Sequence, residues 1–341
     1  MNNDELINEG TNQVNHNRPY IPLGCHPIDT GYYLISTNEI ARMYKEVVTW
    51  IQRRTPGAMI VGNPRLGKTR AIKYLVNSLP SVDIVGLDTP IYTIKCSKFK
   101  NPNESDFFEC LLKDVKHHTP LAGRAISKRR RLYNFLIEKG LGSSRSRVIM
   151  FLDDAQRLHE LHYEWLMDIY NELESEGILL TVILVGQREL FDQRTAFLLS
   201  NKKQIIGRFM VDDYKFKGIG SIDDIRLCLK NYDEDAIYPL GTNWTFTRYF
   251  FPVQYKQGFR LSNFSDILLE VFQEVATETG SKGKIEIPMF YFSSTIENAL
   301  RYLGIDGSNV EQITKSHWKY CIRMSGYINA ERYSEVLKHD N

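Results

Sequence analysis

Residues 62–69 read Gly62-Asn63-Pro64-Arg65-Leu66-Gly67-Lys68-Thr69 and fit the phosphate-loop pattern G-x-x-x-x-G-K-[ST]. The residues before them, Ala58-Met59-Ile60-Val61, form the short apolar run of a buried parallel strand. The residues after them place Ala71, Ile72, Leu75, Val76 and Leu79 at helical spacing. Strand, glycine loop and helix thus follow in the order that phosphate binding needs. Gly62 and Gly67 let backbone N–H groups turn inward around phosphates, and the helix N-terminus adds its orphan donors and its dipole. In this pattern Lys68 reaches the β- and γ-phosphates of ATP, and Thr69 holds Mg²⁺. Residues 62–69 are therefore the expected nucleotide cradle.

The surrounding chain supplies the other strands of such a site. Ile91–Cys96 alternates and is rich in β-formers. Val148-Ile149-Met150-Phe151-Leu152 is a buried-strand run ending in Asp153-Asp154, and Leu179–Val185 is another ending before Gln187. Helical patterns lie between them at about 104–116, 127–139, 159–175 and 189–199, with a further helix at about 38–51 ahead of the first strand. This alternation predicts an α/β fold, a parallel sheet with helices on both faces and ligands at the strand C-terminal ends. After about residue 218 the character changes to a smaller, mainly α region. The expected organisation is an N-terminal arm and lead-in (1–36), an ATPase core (37–218), a helical lid (219–305) and a C-terminal extension (306–341).

Asp153 is expected to hold Mg²⁺ across the phosphates from Thr69. Asp154 stands where a base orients the attacking water. Its side chain is one methylene shorter than Glu, and misplacement near 1 Å costs about a hundredfold in rate, so hydrolysis is expected to be slow. Gln187 can sense the γ-phosphate and water from its strand end. Arg208, in Gly207-Arg208-Phe209, is a candidate arginine finger acting across a subunit interface. Arg260, opening a lid helix, is a candidate γ-phosphate contact.

Composition bounds the rest. Of 341 residues, 43% are hydrophobic and 25% charged, as in globular proteins. No apolar stretch approaches membrane-span length, the N-terminus has no signal-peptide pattern, and the five cysteines are scattered without a C-x-x-C pair. A cytoplasmic chain without a zinc site or disulfide framework is expected. The net charge of +2 gives no global argument for nucleic acid. A local one exists in Lys116 and in Lys128-Arg129-Arg130-Arg131, where a helix is expected to set Lys128 and Arg131 on one face for phosphate contacts. A solvated basic helix face is the competing reading.

The 62–69 loop, Phe151-Leu152-Asp153-Asp154-Ala155-Gln156-Arg157-Leu158, Val185-Gly186-Gln187-Arg188-Glu189-Leu190 and Ile206-Gly207-Arg208-Phe209 together resemble the AAA+ ATPases of the TniB/TnsC group, transposition regulators related to MuB. The Asp-x-Ala-Gln turn carries more of this resemblance than the phosphate loop does, and the similarity covers roughly residues 35–300. It implies an AAA+ fold and an ATPase with ATP and Mg²⁺ as cofactors. It also implies a homo-oligomer, a ring or helical filament, on double-stranded DNA. Such an adaptor recruits transposase subunits and connects them to a target-selection protein or guide-RNA complex. By position, Lys68, Thr69 and Asp153 would bind ATP and Mg²⁺, Asp154 would take the catalytic Glu position, Gln187 the sensor and Arg208 the finger. In related rings the segment holding Lys128 and Arg131 faces the bore. Two departures stand out: Asp at 154, and Gln at 187 where relatives often carry Thr, Ser or Asn. Other readings are an AAA+ signalling or defence switch acting on a protein partner, and a secretion-associated ATPase of the ExeA kind.

Overall fold

The computed structural model describes residues 18–98, 100–280 and 284–331, which form two compact units. The first holds Ser36–Gly220 and Gly283–Phe292; the second holds the described parts of Met1–Ile35, Ser221–Lys282 and Ser293–Asn341. Most of the expected N-terminal arm and the last ten residues of the expected extension lie outside the described residues.

The first unit is built on five parallel strands: β1 (Gly57–Val61), β2 (Ile91–Lys95), β3 (Arg147–Asp153), β4 (Leu179–Gly186) and β5 (Asp212–Lys215). Their order across the sheet is β2-β3-β4-β1-β5. Strand side chains alternate between two cores. Met59, Val61, Val148, Met150, Leu152, Val182 and Leu184 face one cluster. Ala58, Ile60, Ile149, Phe151, Ile183 and Val185 face the other. Both faces are apolar because helices cover both. Helices α1 (Asn38–Gln52) and α2 (Lys68–Ser78) close one side with Met43, Val47, Trp50, Ile72 and Leu75. The other side is closed by α3 (Glu104–Asp114), α4 (Ala125–Leu141), α5 (Glu160–Ser175), α6 (Glu189–Leu199) and α7 (Lys203–Phe209). Thr37 caps α1 by accepting from Ile40 N at 3.0 Å, so the chain turns into the helix where the sequence expects it. Strand β5 escapes the sequence reading because Asp212-Asp213-Tyr214-Lys215 lacks an apolar run; its place is fixed by the ladder to β1, Ala58 opposite Asp212.

Register sets the functional edge. Val61 lies opposite Gly186 and Asp153 opposite Val185. The chain segments leaving β1, β3 and β4 therefore emerge at one level.

The second unit joins residues from the lead-in, the lid region and the C-terminal extension. Its helices are α8 (Ile222–Lys230), α9 (Ser265–Glu278), the part of α10 (Met289–Leu303) beyond Phe292, and α11 (Lys315–Met324). Trp318, Cys321 and Ile322 bury one face of α11. Lys315 pairs with Glu270 at 2.8 Å and with Glu274, and Lys319 with Glu278. From the lead-in, the Tyr33 hydroxyl donates to Glu297 at 2.7 Å, and Arg18 pairs with Asp306. No helix among the described residues is long and apolar enough to cross a membrane.

His26, at 2% exposure, sits among the rings of Tyr238, Phe246, Tyr249 and Phe250, and its Nδ1 accepts from Ile28 N at 3.1 Å. Burial, helped by the Arg18 charge, lowers its pKa to about 4. A folded pKa below the unfolded value gives stability that is complete above about pH 6.5 and lost as the pH falls toward 4. His26→Asn keeps a capping acceptor and removes the titration. Its melting temperature should fall less between pH 7 and pH 5 than that of the wild type, by the equivalent of at most about 2 kcal/mol. Equal falls would show that His26 is neutral in neither state's favour.

Candidate nucleotide site

The phosphate loop leaves β1 and returns as α2, wrapping the Lys68 ammonium. Lys68 Nζ donates to the carbonyls of Gly62 and Asn63, each at 2.7 Å. Gly67 has φ 100°, in the region that favours glycine, and this turns the chain into α2 with no side-chain cap. The first N–H groups of α2 are thereby left for a ligand, as an anion site requires. Leu66 is buried at 3% and anchors the loop to the core, while Pro64 is exposed. Burial lowers the Lys68 pKa, opposed by the carboxylates of Asp153, Asp154 and Glu189.

Asp153, the last residue of β3, stands beside the start of α2, and Thr69 Oγ1 donates to its Oδ2 at 2.6 Å. Burial raises the Asp153 pKa, and the neighbouring Asp154 charge raises it further, while the Thr69 bond opposes the shift. A partly desolvated carboxylate beside a hydroxyl offers two hard oxygens, a donor set that suits Mg²⁺.

Asp154 has φ 59° and ψ 36°, a left-handed conformation that turns its side chain off the strand line. Its carboxylate is already engaged. Gln156 Nε2 donates to Oδ1 at 3.2 Å, and Arg157 Nη2 lies 3.2 Å from Oδ2. Gln156 Oε1 in turn accepts from the Gln187 N–H at 3.3 Å. One amide thus ties the residue after β3 to the residue after β4. The sequence showed Gln156 as part of a family-like turn, but its function as a strut between Asp154 and Gln187 comes only from the fold. Gln193 supports the strut by donating from Nε2 to the Gln156 main-chain carbonyl at 2.9 Å.

A segment far along the chain completes the loop's surroundings. The Arg65 guanidinium donates to the Tyr291 hydroxyl and lies 5.1 Å from the centre of the Phe290 ring, and Phe290 N–H donates to the Arg65 carbonyl at 3.2 Å. Glu286 bridges Asn63 Nδ2 at 3.4 Å and Gly218 N at 2.9 Å. Phe290, Tyr291 and Glu286 carry no local motif, so no sequence pattern points to them.

The two arginine candidates are engaged by local partners. Arg208, at the end of α7, stacks 4.4 Å above the Tyr170 ring, with Nη1 buried and without an acceptor among the described residues. Arg260 belongs to the second unit. Its guanidinium lies 3.5 Å from the Tyr255 ring centre and donates to the carbonyls of Tyr255 and Phe259 at 3.0 and 2.7 Å.

The basic segment departs from its expected layout. Lys128 does not share an exposed face with Arg131. It is 4% exposed, and its ammonium binds Glu109 at 2.6 Å and Ser105 at 3.1 Å. The reason is helical: Lys128, Leu132, Leu136 and Gly140 recur every four residues and form the buried stripe of α4. Arg131 Nη1 holds the carbonyls of Thr119 and Ala122 at 2.8 and 3.0 Å, which orders the loop carrying the exposed Lys116. Arg124 and Arg130 are exposed, and Arg130 and Arg131 line a groove of about 430 Å³ with His117, Asn134, Phe135 and Glu138.

Close packing at the strut gives a test. A Cβ on Gly186 would fall 2.5 Å from Gln156 Oε1 and 2.7 Å from Leu190 Cδ1. Gly186→Ala should therefore destabilise the protein by about 1–3 kcal/mol in urea unfolding. Adding Gln156→Ala should recover part of that loss by removing one of the two clashes; strictly additive losses would mean the two positions do not meet.

With the geometry in place, comparisons show what the fold is similar to. Residues 52–193 match the AAA_22 family, described as an AAA domain. Among solved structures, the chain is similar to the Aeropyrum pernix ORC2 protein in ADPNP–ADP complexes. They share 11% identity at a TM-score of 0.54, covering 88% of this chain and 71% of that one. It is also similar to the Aeropyrum pernix ORC1 protein, solved in complex with DNA. There the identity is 15% and the TM-score 0.51, with 89% of this chain and 69% of that one covered. No curated protein matches the sequence. A parallel five-stranded sheet flanked by helices, a phosphate loop after its β1 and an AAA domain match over residues 52–193 identify this as the AAA+ P-loop fold.

Proposed function

We propose that the protein is an ATP-dependent, DNA-binding AAA+ regulator of transposition, which assembles on double-stranded DNA with ATP bound and links a transposase to a target-selection module. The observation that carries the ATPase part is the meeting of Lys68, Thr69 and Asp153 at one sheet edge, with Thr69 and Asp153 2.6 Å apart. Thr69 and Asp153 would hold Mg²⁺, which when bound neutralises charge on the β- and γ-phosphates. Lys68 positions those phosphates, Asp154 orients the attacking water and Gln156 orients Asp154. Because Asp154 is short and shared between Gln156 and Arg157, turnover is slow and suits a timer of assembly. Arg208 would act as a finger toward a neighbouring protomer by leaving the Tyr170 ring, and Arg260 would reach a γ-phosphate by releasing its local carbonyls.

DNA as partner is supported by the exposed cations Lys116, Arg124 and Arg130 on one segment, and by the fold's likeness to an ORC1 protein solved with DNA. Because Lys128 is bound to Glu109, we assign the phosphate contacts to these exposed residues instead; Arg131 orders their loop. Transposition is supported by the family resemblance of the Asp153–Gln156 turn, whose Gln156 bonds to both Asp154 and Gln187.

The deciding experiment is electron microscopy of the protein with duplex DNA under ATP, ADP and no nucleotide. Rings or filaments on DNA with ATP alone are expected, and Lys68→Ala should abolish them. Dispersed particles in all three conditions would overturn the reading in favour of a switch acting on a protein partner. Charge reversal at Arg124 and Arg130 should weaken duplex binding and lower its salt slope by about one to two. An unchanged slope would move the DNA contact off this segment.

A further inference from the structure

Arginines gather at the opposite end of the sheet from the phosphate loop. Arg147 is the first residue of β3, level with Leu179 at the start of β4. Arg145 lies in the turn just before it, and Arg54 lies in the turn between α1 and β1, with φ 55°. Arg145 Nη2 donates to the Asp83 carbonyl at 2.7 Å, and Arg147 Nη1 to the Ile84 carbonyl at 3.2 Å. Two guanidiniums thus stand side by side on consecutive carbonyls of one loop.

Among the described residues, no carboxylate lies within ion-pair distance of Arg54, Arg145 or Arg147. Asp88 uses both oxygens on Ser144 N and Oγ, each at 2.7 Å, and feels the Arg145 charge at longer range. Asp83 contributes its carbonyl. Arg147 is 5% exposed, and its Nε is buried with no acceptor among the described residues. Burial lowers the Arg147 pKa, and the like charges of Arg54 and Arg145 lower it further. A buried guanidinium stays charged, so an unpaired one carries an uncompensated desolvation cost. The contrast within the same unit is Lys128, equally buried but matched by Glu109.

We propose that Arg54, Arg145 and Arg147 form a second anion site that binds a phosphate group, separate from the nucleotide loop. Phosphate suits the cluster on two counts. Its charge offsets several guanidiniums at once, and its oxygens match the planar fork of Arg, which a point-charge Lys would not read. Arg54 and Arg145 are exposed while Arg147, which feels both charges, is buried, so a ligand arriving from solvent meets the exposed pair first. The phosphate can be that of a soluble ester or a phosphodiester of duplex DNA; both present anionic non-bridging oxygens.

The test uses the full chain saturated with ADP, so that the nucleotide loop is filled. Pyrophosphate is titrated by calorimetry, and a short labelled duplex, with ATP in place of ADP, by fluorescence anisotropy. The wild type should bind one pyrophosphate per protomer. Arg145→Ala should weaken it about tenfold, and Arg54→Ala with Arg145→Ala further still. Both substitutions sit on exposed side chains, and their melting temperatures without pyrophosphate should equal or exceed that of the wild type, since like-charge repulsion is relieved. Duplex affinity falling in parallel with pyrophosphate assigns the site to the DNA backbone; duplex affinity unchanged, with pyrophosphate weakened, assigns it to a soluble phosphate. Absence of pyrophosphate binding in the ADP-loaded wild type, or equal affinity in the double variant, would overturn the proposal.

Discussion

The level at which three parallel strands end governs the rest of this protein. Backbone ladders hold β3, β4 and β1 in fixed register, with Asp153 opposite Val185 and Val61 opposite Gly186. Whatever follows each strand must therefore emerge beside its neighbours. Lys68 and Thr69 follow β1, Asp154 and Gln156 follow β3, and Gln187 follows β4. Residues more than a hundred positions apart become one site because hydrogen bonds between strands leave them no other place. The two apolar layers that sandwich the sheet keep the ladders dry, and the polar chemistry is confined to the edge where the ladders stop.

At that edge, short polar struts add to packing in holding the geometry. Gln156 ties Asp154 to the Gln187 backbone, Thr69 binds Asp153, and Glu286 ties Asn63 to Gly218. Each strut joins segments that belong to different strands, so the site is rigid only when the whole sheet is formed. Arg65 extends the same scheme by seating the loop on Phe290 and Tyr291.

The basic side chains divide by their surroundings more than by their place in sequence runs. Lys128 lies inside with Glu109, and Arg129 spans Glu104 and Asp168. Arg208 and Arg260 lie over tyrosine rings. Against this background the exposed Lys116, Arg124 and Arg130, and the group of Arg54, Arg145 and Arg147, are among the cations with charge to offer a partner.

The sequence by itself determined the order of strand, loop and helix around residues 62–69, because apolar runs and a glycine pattern are local properties of the chain. It also marked Asp153 and Gln187 as strand-end residues, since a buried parallel strand reads as an unbroken apolar run. It could not find β5, whose four polar residues become a strand only by pairing with β1. Nor could it orient α4. Four consecutive basic residues look alike in sequence, and only the face packed on α3 and the sheet turns Lys128 inward while leaving Arg130 outside. Gln156, Glu286 and Tyr291 gained their places from contacts across the fold, and the arginines at the far end of the sheet became neighbours the same way. Local pattern fixes what a segment is; long-range hydrogen bonding and burial fix what each of its side chains can meet.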